Sequence, residues 1–285
     1  MSIRSRTGRV DIKPTYYLIP PVFSMPEFQE KSPVRGREQL TPDVCRLTLH
    51  APKIAEHARP GQFVMVRAGA TLDPLLRRPF SIHKATGDGL VTILFKVIGK
   101  GTRLLAAASE STEIDLIGPL GRGFDTTVAG PHCLIGGGMG IAPLYFLAER
   151  LMRAGRQAAN PPVLLGAQTQ AELMLLAEEF TELGYAVLTA TDDGTIGHHG
   201  FVTELLDDIL QEVQQVYVCG PMPMMRTVAL KCRAAGTACQ VSLETHMACG
   251  LGACLGCTYP ASGGGYLHVC KDGPVLAAEE VAWTL

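Results

Sequence analysis

Between residues 37 and 128 the chain runs in short alternations of apolar and polar positions separated by turn residues. Val44-Cys45-Arg46-Leu47-Thr48-Leu49, Gln62-Phe63-Val64-Met65-Val66 and Leu90-Val91-Thr92-Ile93-Leu94-Phe95-Lys96-Val97 are the clearest of them. Strands at this spacing, with Gly and Pro between them, predict a small antiparallel barrel interrupted by one helical stretch at 102–108. After residue 130 the rhythm changes. Cys133-Leu134-Ile135 runs into Gly136-Gly137-Gly138 and a helical pattern that lasts to about residue 154. Val163-Leu164-Leu165-Gly166 precedes a helix near 170–182, Ala186-Val187-Leu188-Thr189 follows, and Val216-Tyr217-Val218-Cys219-Gly220 leads into a helix at 222–235. Alternating strand and helix predicts βαβ units on a parallel, Rossmann-like sheet.

The expected organisation is therefore an N-terminal extension (1–36), an antiparallel β-barrel (37–128), a parallel-sheet nucleotide domain (129–238) and a small Gly- and Cys-rich domain (239–285). The extension has no clean periodicity, and its pattern leaves open a flexible segment or a strand that pairs with a neighbour. Composition is that of an ordinary globular chain: 285 residues, 47% hydrophobic and 18% charged. With 25 Lys and Arg against 27 Asp and Glu, the net charge of −2 gives no reason to expect nucleic acid as a partner. The apolar runs are broken well short of the roughly 20 residues that a membrane span needs. The basic start runs through Tyr16-Tyr17-Leu18-Ile19 into Pro20-Pro21, a poor secretory pattern, so the expected location is cytoplasmic.

In that setting the nine cysteines change the picture. Cys45, Cys133, Cys219, Cys232 and Cys239 are scattered singly, whereas Cys249, Cys254, Cys257 and Cys270 crowd together with gaps of four, two and twelve residues. This matches the C-x4-C-x2-C spacing, with a distant fourth cysteine, of plant-type 2Fe-2S proteins. Sulfurs converging from one tight loop need little side-chain bulk and positive φ angles, which Gly250, Gly252 and Gly256 supply. The competing reading is a structural zinc ion inside four thiolates, although such sites usually show two C-x2-C pairs and only one stands here. Cys239 is a possible substitute ligand.

Two features of the barrel favour phosphate. Arg78 and Ser81, in Arg77-Arg78-Pro79-Phe80-Ser81, offer a charged donor and a hydroxyl, and Gly99-Lys100-Gly101-Thr102 opens a helix whose first amides are free. In the second domain Gly136, Gly137, Gly138 and Gly140 follow a strand and open a helix, suiting the approach of a pyrophosphate. Ala142-Pro143 occupy the first turn, so this is not the dinucleotide G-x-G-x-x-G, and Pro is tolerated there. Gln168-Thr169-Gln170 offer no cation for a 2′-phosphate, and Asp192-Asp193 add negative charge, which leans towards NAD over NADP.

Taken in order, R-P-F-S, G-x-G-T, Gly118-Pro119-Leu120-Gly121, the Gly-rich turn and Cys219-Gly220-Pro221 resemble the ferredoxin–NADP reductase superfamily over about residues 40–235. The resemblance implies FAD on the barrel, with Arg78, Pro79, Phe80, Ser81, Leu94, Phe95, Lys96, Gly101 and Thr102 around it. It also implies that Cys219 and Gly220 lie near the nicotinamide. Many relatives carry Tyr where Phe80 stands. The tail from Ser242 to Cys257, with Val269-Cys270-Lys271-Asp272-Gly273-Pro274, looks like that of the electron-transfer subunits of class 1B dihydroorotate dehydrogenases, a resemblance spanning about residues 37–285. It implies an FMN-containing partner subunit that oxidises dihydroorotate for pyrimidine synthesis and supplies the base, a heterotetramer, and electron flow through 2Fe-2S and FAD to NAD. No catalytic acid or base is expected in this chain. The alternative is the small subunit of an NADH-dependent ferredoxin–NADP oxidoreductase or a sulfide dehydrogenase, relatives that tend to have Asp where Cys249 stands.

Overall fold

The computed structural model describes residues 27–69, 71–110, 112–128, 130–155 and 160–283. Most of the expected N-terminal extension, residues 1–26, lies outside the described residues. Residues 28–36, left open as a flexible segment or a strand, are the first part of a barrel strand, β1 (Phe28–Thr41). The strand changes partner at Pro33 and Val34, where pairing passes from the last barrel strand to the second.

The barrel closes in the order β1, β2 (Val44–His50), β5 (Leu90–Lys96), β4 (Arg78–Ala85), β3 (Phe63–Arg67) and β6 (Glu113–Leu120). Every neighbouring pair is antiparallel. Alternation fills it: Val34, Leu47, Leu49, Val64, Val66, Ile82, Val91, Ile93 and Leu116 are fully buried. Helix α1 (Pro52–His57) and helix α2 (Lys100–Ala106) lie in its connections. Helix α2 starts two residues before the expected stretch because the Thr102 hydroxyl accepts the Ile98 and Gly99 amides, both at 3.0 Å, and holds the first turn in place.

The second domain is a seven-stranded sheet. Its parallel part contains β7 (His132–Gly137), β8 (Pro162–Ala167), β9 (Ala186–Thr191), β10 (His198–His199), β11 (Gln215–Cys219) and β12 (Ala238–Ser242), in the order β10-β9-β8-β7-β11-β12. The order reverses beside β7, the point where doubly wound sheets bind ligands at their carboxyl ends. Leu134 of β7 packs with helices α3 (Ile141–Ala154) and α4 (Gln170–Glu182), while Cys133 and Ile135 face the layer of helix α5 (Met222–Ala235). Helices α3 and α5 each stop at a left-handed glycine, Gly155 and Gly236.

Beyond β12 come the hairpin β13 (Thr258–Pro260) and β14 (Tyr266–His268), the short helix α6 (Val269–Asp272) and β15 (Val275–Ala277). This segment builds no core of its own. Strand β15 returns antiparallel to β12 and becomes the seventh strand of the nucleotide sheet. Cys257, Val269, Cys270 and Leu276 share one buried cluster with Phe63, Met65 and Leu120 of the barrel.

Candidate functional site

The loop between β12 and β13 brings the cysteines to the barrel. Gly250 and Gly252 have φ of 73° and 75°, and Leu255 adopts the left-handed region at 57°, unusual for a bulky residue. These turns aim backbone amides at sulfur. Leu251 and Cys254 both donate to Cys249 Sγ at 3.4 Å, Gly252 to Cys270 Sγ at 3.1 Å, Gly256 to Cys254 Sγ at 3.5 Å and Cys270 to Cys257 Sγ at 3.4 Å. All four sulfurs thus accept an amide, an environment that favours thiolates and tunes cluster potential. Burial works to raise the Cys249 thiol, but the Leu251 and Cys254 amides outweigh it and bring it down to about 6. Burial and the neighbouring Cys257 push Cys270 up to about 12.

The donor set, the amides and the loop geometry fit a 2Fe-2S cluster. Cys239 is buried in β12 beside Cys232 of α5 and stands apart from the loop.

The loop rests on the flavin side of the barrel. A Cβ at Gly250 would lie 2.5 Å from Met65 Cγ, and Met65 on β3 is registered opposite Pro79 on β4. Arg78, Pro79, Phe80 and Ser81 are half-buried on β4, while Leu94 and Phe95 are buried on β5. The Phe80 ring leans on Phe95 at 5.3 Å between centroids. The structure also brings the two phosphate-favouring features together. The Arg78 side chain lies across the first turn of α2, so close that a Cβ on Gly101 would be 2.5 Å from its Nε. The Thr102 hydroxyl is turned into its own cap, accepting the Ile98 and Gly99 amides and donating to the Gly99 carbonyl.

In the nucleotide domain the glycines divide their work. Cβ atoms at Gly140 and Gly137 would meet the neighbouring turn, at 2.3 Å from Cys219 O and 2.6 Å from Met224 Sδ. A Cβ at Gly136 would meet Ile141 of the following helix at 2.8 Å, and one at Gly220 (φ 154°) would lie 3.0 Å from the Gly137 amide nitrogen. These four allow two strand–helix turns to pack at the reversal of strand order. Gly138 (φ 53°) alone among them has open space before it, and it lines a cavity of about 590 Å³. That cavity lies between the carboxyl ends of β7, β8 and β9 and the barrel. Leu94 and Lys96 border it from the barrel, and Gln168, Asp192 and Phe201 from the sheet.

Lys96 is also ion-paired with Asp43 at 3.1 Å. Asp193 is spent on a turn, bonding Thr195 N and Oγ1, whereas exposed Asp192 stands at the cavity's rim. Cys219 is 1% exposed and packed among core residues, and burial raises its thiol well above the ordinary range. Sequence reasoning missed Glu244. It follows β12 close to Cys219, and crowding by the surrounding protein raises its carboxyl above the usual range although the residue is exposed. Its place between the strand and the first cluster cysteine was the available signal.

Residues 134–229 match the oxidoreductase NAD-binding domain family, and residues 244–282 match the iron-sulfur cluster binding domain of dihydroorotate dehydrogenase B. The chain is 40% identical over 259 residues to the dihydroorotate dehydrogenase B (NAD(+)) electron transfer subunit of Bacillus caldolyticus, covering 89% of this chain and 98% of that one. It is 39% identical over 251 residues to that of Desulforamulus reducens, covering 86% and 94%. Among solved structures it is similar to an NADH-dependent reduced ferredoxin–NADP oxidoreductase studied for flavin-based electron bifurcation, with TM-score 0.79, 34% identity and coverage of 89% and 90%. A ferredoxin reductase of carbazole 1,9a-dioxygenase, at TM-score 0.58 and 22% identity over 74% of this chain and 66% of its own, shares the fold.

Proposed function

This chain belongs to the family of dihydroorotate dehydrogenase B electron-transfer subunits, and from that premise we propose how its residues carry electrons between a partner catalytic subunit and NAD. The cofactors are a 2Fe-2S cluster, FAD and NAD. The cluster exchanges single electrons, and FAD accepts them singly and gives up two as a hydride, which is why both stand between a two-electron donor and a nicotinamide. Cys249, Cys254, Cys257 and Cys270 hold the cluster. Arg78, Ser81 and the amides of the α2 turn at Gly101 and Thr102 hold the FAD phosphates. Pro79, Phe80, Leu94, Phe95 and Lys96 shape the ring site. Gly138 opens the nucleotide cavity, while Gly136, Gly137, Gly140 and Gly220 let its walls approach and Cys219 backs them from the core.

One observation carries the reading: the residues proposed for the three sites follow one another across adjacent strands. The cluster loop touches Met65, Met65 faces Pro79 on the flavin strand, and Leu94 on the next strand borders the nucleotide cavity. The partner in this reading is an FMN subunit that oxidises dihydroorotate, assembled with this chain as a heterotetramer. Among the described residues no helix is long and apolar enough to cross a membrane, and no disulfide joins the cysteines. The cytoplasm is the place this reading gives the complex.

The test is dihydroorotate-dependent NAD reduction by the complex that co-purifies with this chain from its host. FMN and FAD together, with activity lost in Cys249→Ser, are the expected result. A second reading is favoured by the similarity to the ferredoxin–NADP oxidoreductase over 89% of the chain. A complex that ignores dihydroorotate yet passes electrons between NAD(P)H and a ferredoxin establishes that reading instead.

A further inference from the structure

His83 sits on β4, two residues beyond Ser81 of the flavin strand, and is 2% exposed. Its Nδ1 lies 2.9 Å from the carbonyl oxygen of Ala142, in the first turn of the helix that the Gly-rich turn opens. A carbonyl only accepts, so Nδ1 carries the proton and donates it. Its Nε2 lies 3.7 Å from Glu179 Oε2 on α4. The other oxygen of Glu179 accepts Arg46 Nη2, from β2. Burial works to raise the Glu179 carboxyl, and His83 and Arg46 outweigh it and hold it below its ordinary value.

The Tyr145 ring stacks on His83 at 4.9 Å and 26°, and Lys84 lies over the Tyr145 ring and 3.7 Å from Glu149. Two barrel strands are thus tied to two helices of the nucleotide domain by directional polar contacts. Such groups are weak evidence for stability, because an apolar replacement often serves as well. What they supply is orientation, and here they join the strand that carries the flavin residues to the turn that faces the nucleotide.

We propose that His83, held between Ala142 and Glu179, is a positioning residue that fixes the nucleotide domain against the flavin strand and thereby sets the distance for hydride transfer. The inference rests on the FAD and NAD assignment above. Reacting atoms must stand within about 3.5 Å, and a displacement of about 1 Å lowers such rates by as much as about a hundredfold.

The experiment uses the full chain loaded with FAD and cluster in its native complex. It follows anaerobic reduction of the flavin by NADH in a stopped-flow instrument, alongside amide hydrogen exchange. In His83→Ala the limiting rate falls about tenfold or more, while the NADH dissociation constant stays within about twofold. Flavin and iron contents hold, and exchange rises in β4 and the first turn of α3 but not across the sheet. His83→Asn, which keeps a donor for the Ala142 carbonyl, recovers most of the rate.

Glu179→Gln, at a partly exposed position, shows the same split and decides the matter if His83→Ala does not fold. Wild-type limiting rates in the folded variants overturn the proposal. So does a loss that tracks flavin content, or exchange that rises throughout the chain. A wild-type flavin that NADH does not reduce overturns the cofactor assignment itself, and the inference with it.

Discussion

The cluster cysteines differ in burial: Cys257 and Cys270 are closed in, Cys249 is half-buried and Cys254 is exposed. Replacing Cys257 or Cys270 with Ser is expected to remove the visible absorbance of the cluster and bring iron below half the wild-type ratio, measured by iron analysis and electron paramagnetic resonance. Asp192 offers a second test. Its carboxylate at the cavity's rim repels a 2′-phosphate, so Asp192→Ser is expected to shift the NADH/NADPH preference about tenfold towards NADPH, read as a ratio of kcat/KM values.

His132, buried beside Tyr185, is lowered by burial from 6.5 to about 4. A base whose pKa is depressed on folding takes up its proton more readily when unfolded. Stability is therefore retained above about 6.5 and lost as pH falls towards about 4, by roughly 3 kcal/mol in all. Urea unfolding between those limits should show that loss in the wild type and a flatter profile in His132→Gln. The iron-sulfur segment was legible because cluster chemistry demands particular cysteine spacing, and a domain of that kind matches residues 244–282. His83 was not, since its environment is assembled by distant strands and helices.

Elements with a strong period were read closely. Helix α4 at Gln170–Glu182 and helix α5 at Met222–Ala235 coincide with their expected spans, α5 bounded by Pro221 and a left-handed Gly236. Strand β1 was not read as a strand, because Pro33 and a register shift between Val34 and Gly36 break its alternation. Strands β13, β14 and β15, of three residues each, are too short for any periodicity to show. The Gly-rich turn was read as a place for pyrophosphate, and most of its glycines proved to serve contact between neighbouring turns. Gly140→Ala is therefore expected to cost about 1–3 kcal/mol, seen as a lower melting temperature, because its Cβ would meet the Cys219 carbonyl at 2.3 Å.

The order of barrel, nucleotide sheet and cluster segment was legible from changes of rhythm along the chain. Their joining was not: the Met65–Gly250 contact and the His83–Glu179 link connect residues far apart in sequence. The cluster segment borrows its core from both other domains, so a fragment of residues 239–285 is expected to stay unfolded by circular dichroism and to bind no stoichiometric iron.

The return of β15 to the side of β12 also bears on how the chain is made. During synthesis β12 leaves the ribosome as a bare sheet margin, and it stays so until the whole cysteine loop has followed it. A bare margin invites pairing with another nascent chain. The last strand is thus a late seal, and it can shut only after all four cysteines of the loop and of α6 have emerged.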